Sequence, residues 1–92
     1  MMNLLIVEDD TALSMGFEYA LKKEGFEVFC AKNLKEAQKL FSEKDIDLIL
    51  LDVMLPDGNG YDFCRQIRKS SDLAVIFITA CDEEVNVVLG LD

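Results

Sequence analysis

Ninety-two residues with nine basic and eighteen acidic side chains carry a formal charge of −9, which repels nucleic-acid phosphates and anionic membrane surfaces and argues against direct binding to either. The length allows a single domain, residues 1–92, and a chain of this size buries only about 60–65% of the surface its unfolded form exposes. Hydrophobic residues make up 51%, yet the apolar runs at 4–7 and 48–51 fall far short of the roughly 20 residues a membrane helix requires. The start, MMNLLIVEDD, lacks the basic segment and cleavage site of a signal peptide, so a cytoplasmic location is expected. Three isolated cysteines, Cys30, Cys64 and Cys81, with no CxxC and no histidine, suit neither a disulfide framework nor a zinc site and read as reduced thiols.

NLLIV is a short apolar run that reads as a buried strand and closes on Glu8, Asp9 and Asp10. Residues 11–24 then place Leu13, Phe17, Ala20 and Leu21 on one helical face, and Gly25 supplies a left-handed stop. EVFCA is a second strand. Residues 33–43 repeat the helical pattern, with Asn33 as cap and Leu34, Ala37, Leu40 and Phe41 facing inward. The third strand, 47–52, ends on Asp52, and LPDGNG turns the backbone sharply before a helix that starts near Tyr61 and packs through Phe63, Cys64 and Ile67. LAVIFITA, 73–80, is a fourth buried strand, and 83–91 reads as the opening of a fourth helix. Clustered acids aside, Glu18, Glu36, Glu43 and the Asp82-Glu83-Glu84 run read as a solvated surface.

Alternating strands and helices imply a parallel sheet with right-handed crossovers and helices on both faces. With strand order 2-1-3-4, the switch point where ligands bind lies beyond the carboxyl ends of strands one and three. Topology therefore gathers Glu8, Asp9 and Asp52. Like charges at contact distance push one another toward protonation unless a cation joins them, and the cation suited to carboxylate oxygens is hard, such as Mg2+. Met54, two residues past Asp52, can add a backbone carbonyl to that metal whatever its side chain. Asp10 stands where the first helix begins, and a cap for Thr11-Ala12-Leu13 is favoured there over a metal ligand. Thr79, ending the fourth strand, has a hydroxyl that can donate to an oxyanion held at Asp52. Each acid alone could be a solubilising loop end; their joint placement is what argues for a site.

LLIVEDD, LILLDVMLPDGNGYDFCRQIR and VIFITA together resemble the receiver domain of a bacterial two-component response regulator, from residue 3 to 92. The LPDGNG form is most similar to regulators with a winged-helix DNA-binding output domain. The resemblance implies a flavodoxin-like fold in which Asp52 is the phosphoacceptor, Glu8 and Asp9 are the acidic metal-binding pair, and Thr79 is the hydroxyl that follows the phosphoryl group during switching. It further implies in-line attack of Asp52 on a phosphohistidine of a sensor histidine kinase, with Mg2+ held by Asp9, Asp52 and the Met54 carbonyl, and Glu8 acting through a coordinated water. The parent would be a cytoplasmic transcription regulator.

The family also has a fifth strand ending in a lysine and a fifth helix, and an aromatic residue that moves with the Thr79 equivalent. No Lys or Arg follows Lys69, so the chain is expected to be a fragment. An open edge at LAVIFITA and an uncovered sheet face would then favour self-association, by edge pairing or segment exchange. Two other classes compete. A flavodoxin-like cofactor module shares the strand order, but Glu8-Asp9-Asp10 would repel its phosphate. A non-phosphorylated interaction module of the same fold is the second. An aspartate-nucleophile phosphatase is disfavoured because Asp52 is followed by Val-Met-Leu, with no second acid two residues on.

Overall fold

The computed structural model describes residues 2–81 and 84–89, with side chains as far as Ile78. Strand β1 (Asn3–Val7), helix α1 (Thr11–Lys23), β2 (Glu27–Ala31), α2 (Leu34–Glu43) and β3 (Leu48–Asp52) follow one another as the alternating pattern predicts. A small antiparallel hairpin, β4 (Met54–Leu55) and β5 (Gly58–Asn59), leads into α3 (Gly60–Arg68), and β6 (Ala74–Cys81) and β7 (Glu84–Leu89) complete the described chain. The main sheet has the order β2-β1-β3-β6-β7, and its first four strands are parallel. This is the doubly wound, flavodoxin-like α/β arrangement with the expected order 2-1-3-4 for those four strands.

Alternation along each strand sorts the core into two layers. Leu5, Val7, Ile49, Leu51, Val75 and Phe77 face α2 and α3, where Ala37, Phe63, Cys64 and Ile67 are buried against them. Leu4, Ile6, Val28, Leu50 and Ile78 face the other way, against Leu13, Phe17 and Leu21 of α1. Leu48 and Ile76 on this second face remain partly exposed, since α1 is the only helix there among the described residues.

The helix ends obey the expected local chemistry. Asp10 caps α1 by accepting from the Leu13 amide at 3.1 Å, and Asn33 caps α2 by accepting from the Glu36 amide at 2.8 Å. Gly25 takes a φ of 96° just past α1, a conformation open to glycine. On α1 the buried stripe differs from expectation: Ala20 is exposed and Ser14 is buried. Steps of about 100° per residue explain the exchange, because Ser14 flanks Leu21 on one side of the Leu13–Phe17–Leu21 stripe and Ala20 lies on the other. The stripe is tilted toward β2, where Ser14 hydrogen-bonds Cys30.

Residues 84–89 depart from the expected fourth helix. They form β7, antiparallel to β6, in a register running from Ile76↔Leu89 to Cys81↔Glu84. The segment EVNVVL holds three valines, whose stiff β-branched side chains favour strands, and the unpaired outer edge of β6 offers a ladder to join. The open edge expected at LAVIFITA is therefore occupied by the chain itself, and the free edge of the sheet moves to β7.

Candidate functional site

The β1–β3 ladder pairs Leu4 with Leu48 through Val7 with Leu51, so one further step in the same register sets Glu8 opposite Asp52. The Glu8 amide prolongs the ladder on the other side, donating to the Ala31 carbonyl at 3.0 Å. Asp9 follows where the chain leaves the sheet for α1. Carboxylate oxygens of Glu8, Asp9 and Asp52 thus lie within 4.8 Å of one another at the carboxyl edge of the sheet. The three acids grade from buried Glu8, 4% exposed, through half-buried Asp52 to exposed Asp9.

That gradient sets the electrostatics. Burial pushes Glu8 up from 4.5 to about 7, the negative charges of Asp52 and Asp9 add to the rise, and the Asp10 amide, donating to Glu8 Oε1 at 3.0 Å, opposes it. Asp52 is also raised by burial, against hydrogen bonds from Glu8 and from the Met54 and Val53 amides that favour its charged form. The hydrogen bond between the two carboxyls raises Glu8 and lowers Asp52, so protonation is favoured on Glu8 over Asp52. Three oxygen donors of one sign, crowded and partly dehydrated, are the donor set a hard divalent cation fits.

The hairpin after Asp52 borders the site at its base. Met54 donates its amide to Asp52 Oδ1 at 3.4 Å, while its side chain is 80% exposed. At the other end Gly60 donates to the Val53 carbonyl at 2.7 Å. A Cβ at Gly60 would collide with the Asp52 carbonyl oxygen and stand 3.1 Å from its carbon and 3.2 Å from Leu51 Cγ. Glycine is needed here for space, since this backbone runs against the very residue that carries the central carboxylate. Asp57, between the two hairpin strands, accepts from the Leu34 amide at 2.8 Å and the Lys35 amide at 3.1 Å at the start of α2. Sequence reading singled out neither Gly60 nor Asp57. The DGNG turn is the signal for the glycine, whereas the contact of Asp57 with α2 spans 22 and 23 residues and leaves no local mark.

Asp52 pairs with Ile78 across β3 and β6, so Thr79 is the next residue along β6, where its backbone pairs with Asn86 of β7; its side chain lies outside the described residues, as does that of Cys81. Cys30 is exposed, and Cys64 is buried in the α3 layer. Tyr61 packs against Phe77 with ring centroids 4.7 Å apart and ring planes tilted by 54°, yet stays 45% exposed.

Comparison with known proteins converges on one family. The family model described as the response regulator receiver domain matches residues 4–92. The MaeR response regulator bound to beryllium trifluoride is 40% identical with a TM-score of 0.82, over 90% of this chain and 70% of that one. TrrA from Thermotoga maritima, in complex with Mg2+ and beryllium fluoride, is 32% identical with a TM-score of 0.82, over 89% and 72%. The non-phosphorylated HemR receiver domain from Leptospira biflexa is 35% identical with a TM-score of 0.80, over 91% and 68%. Sheet order, acid cluster and residue-level similarity agree, and the chain belongs to the response regulator receiver domain family.

Proposed function

We propose that residues 1–92 form one phosphoacceptor receiver unit, in which Asp52 accepts a phosphoryl group from a phosphohistidine of a sensor histidine kinase. The observation that carries this reading is the meeting of Glu8, Asp9 and Asp52 oxygens within 4.8 Å at the sheet's switch point. An oxygen of Asp52 forms a bond to phosphorus as the bond from phosphorus to the imidazole nitrogen breaks, and the leaving nitrogen keeps the electron pair and takes up a proton. The product is an acyl phosphate on Asp52. Glu8, Asp9 and Asp52, with the Met54 carbonyl, would hold Mg2+, which when bound neutralises phosphoryl oxygens. Beryllium trifluoride in the MaeR complex, and the beryllium fluoride with Mg2+ in the TrrA complex, stand in for a phosphoryl group, which supports the same chemistry here. The register that places Thr79 one residue beyond Ile78, the partner of Asp52, supports its hydroxyl as the group that follows the phosphoryl oxygens.

In this reading the chain works as a signalling switch that assists its own phosphorylation and dephosphorylation. The conformational change passes to a DNA-binding output domain outside this sequence, in a cytoplasmic regulator of transcription; no helix among the described residues is long and apolar enough to cross a membrane. A flavin-binding alternative is opposed by Asp10, whose carboxylate already occupies the amino end of α1 through Leu13, the place where a cofactor phosphate would sit.

Intact-mass spectrometry after incubation with Mg2+ and acetyl phosphate tests the assignment. One added phosphoryl group is expected on the native chain, and none on Asp52→Asn or in EDTA. An unmodified native chain would leave an interaction module of the same fold as the better reading. Self-association is proposed as well, through the outer edge of β7, an end strand of the sheet. Gel filtration across a concentration series should then show a dimer or larger species at the upper end, and a constant monomer would remove this part of the proposal.

A further inference from the structure

The hairpin β4–β5 is fastened at both ends. Its base lies on the site, through the Met54 amide on Asp52 Oδ1 and through Gly60 packed against the Asp52 backbone. Its tip lies on α2: the two oxygens of Asp57 take separate amides, Leu34 at 2.8 Å and Lys35 at 3.1 Å. Those amides belong to the first turn of α2, which the helix cannot satisfy internally and where its dipole favours an anion. Asn33 already serves the Glu36 amide, so Asp57 supplies a second, independent closure of the same helix end, reaching in from another element. Gly58 follows at the tip and sits so close to Leu34 that a Cβ would come within 2.7 Å of Leu34 Cδ1.

We infer that Asp57 is a positioning residue, which clamps the hairpin to the amino end of α2 and so holds the Met54 segment against Asp52. The inference rests on Asp52 being the phosphoacceptor only for its consequence in phosphorylation; the clamp itself is a property of the hairpin. Two kinds of bond at the same helix end make a clean contrast. Asn33→Ala removes a cap of α2 and leaves the hairpin tether, whereas Asp57→Ala removes the tether and leaves the Asn33 cap. Asp57→Asn keeps one acceptor and turns a donor toward the other amide.

The test is amide hydrogen exchange by NMR at Met54 and Gly60 in the native chain and these three variants, together with Mg2+ affinity by calorimetry. Asp57→Ala should speed exchange at Gly60 and Met54 several-fold and weaken Mg2+ binding by about tenfold, the lower end of the loss seen when groups orienting metal ligands are removed. Asp57→Asn should fall between Asp57→Ala and the native chain, and Asn33→Ala should leave both readouts at the native level. Native exchange at Met54 and Gly60 in Asp57→Ala, or equal changes in Asp57→Ala and Asn33→Ala, would overturn the clamp. A native chain that neither binds Mg2+ nor takes up a phosphoryl group would overturn the phosphoacceptor reading instead, with the exchange rates still deciding whether Asp57 positions the hairpin.

Discussion

Without divalent cations the folded chain should lose stability as the pH climbs from about 4.5 to about 7, and millimolar Mg2+ should cancel that loss. Glu8 is the reason. Its carboxyl, ordinarily at 4.5, is held near 7 in the fold, so between those values the native state binds a proton that the unfolded state has already released. Each step up in pH then favours unfolding, and the stabilisation present below 4.5 is gone once the pH passes 7. The span corresponds to about 3 kcal/mol, a large share of the roughly 5–14 kcal/mol a domain of this length possesses. Asp52 is shifted in the same direction by burial and deepens the slope. Asp57 works oppositely, since amide hydrogen bonds hold it below its usual 3.8; its contribution is complete before the Glu8 window opens. A cation binds the charged carboxylates, drives off the proton and removes the repulsion. Urea midpoints at pH 5 and pH 7.5, with and without Mg2+, measure all of this, and Glu8→Gln should flatten the metal-free profile. A metal-free profile that rises over the same interval would show that Glu8 is charged in the fold.

Gly60→Ala should be the most damaging change of a single methyl group. The new Cβ meets the Asp52 carbonyl oxygen and stands 3.1 Å from its carbon, with Leu51 Cγ at 3.2 Å; backbone cannot rotate aside as a flexible side chain can. Relief requires α3 to slide away from β3 or the end of β3 to shift, at a cost of about 3 kcal/mol, the upper part of the usual range for overpacking. Either movement displaces Asp52, so the Mg2+ affinity of the surviving folded fraction should fall along with the urea midpoint. Gly16→Ala is the matched comparison. Gly16 lies inside α1 with nothing within 4 Å of a built Cβ, and alanine there should stabilise the chain by about 1 kcal/mol through helix propensity. Equal effects at the two glycines would show that the close approach at Gly60 is unimportant.

The parts of this molecule legible from sequence are those governed by local rules. Runs such as LLIV and LILL announce buried strands, Asp10 and Asn33 stand where helices need caps, and alternation of strand and helix forces β1 and β3 to be neighbours, which brings Glu8 to Asp52 without further information. What escaped reading depends on contacts distant in the chain. Asp57 reaches an element more than twenty residues away, and Gly60 is required by a neighbour, Asp52, that only the folded hairpin delivers. Ser14 and Ala20 exchange places because the tilt of α1 on the sheet selects which flank of its apolar stripe is covered. EVNVVL shows helical spacing and strand composition at once, and the edge of β6 decides between them.

The ladder between β1 and β3 also orders events in time. Leu4 must wait for Leu48, 44 residues later, and at about 5–20 residues per second of synthesis that interval lasts about 2–9 s. Throughout it the second ladder of β1 lacks a partner, and the most apolar stretch of the newborn chain is available to chaperones or to neighbouring chains on the same message. The arrival of Asp52 ends this vulnerable period, because the residue that completes the acid cluster is also the last residue of the strand that buries β1.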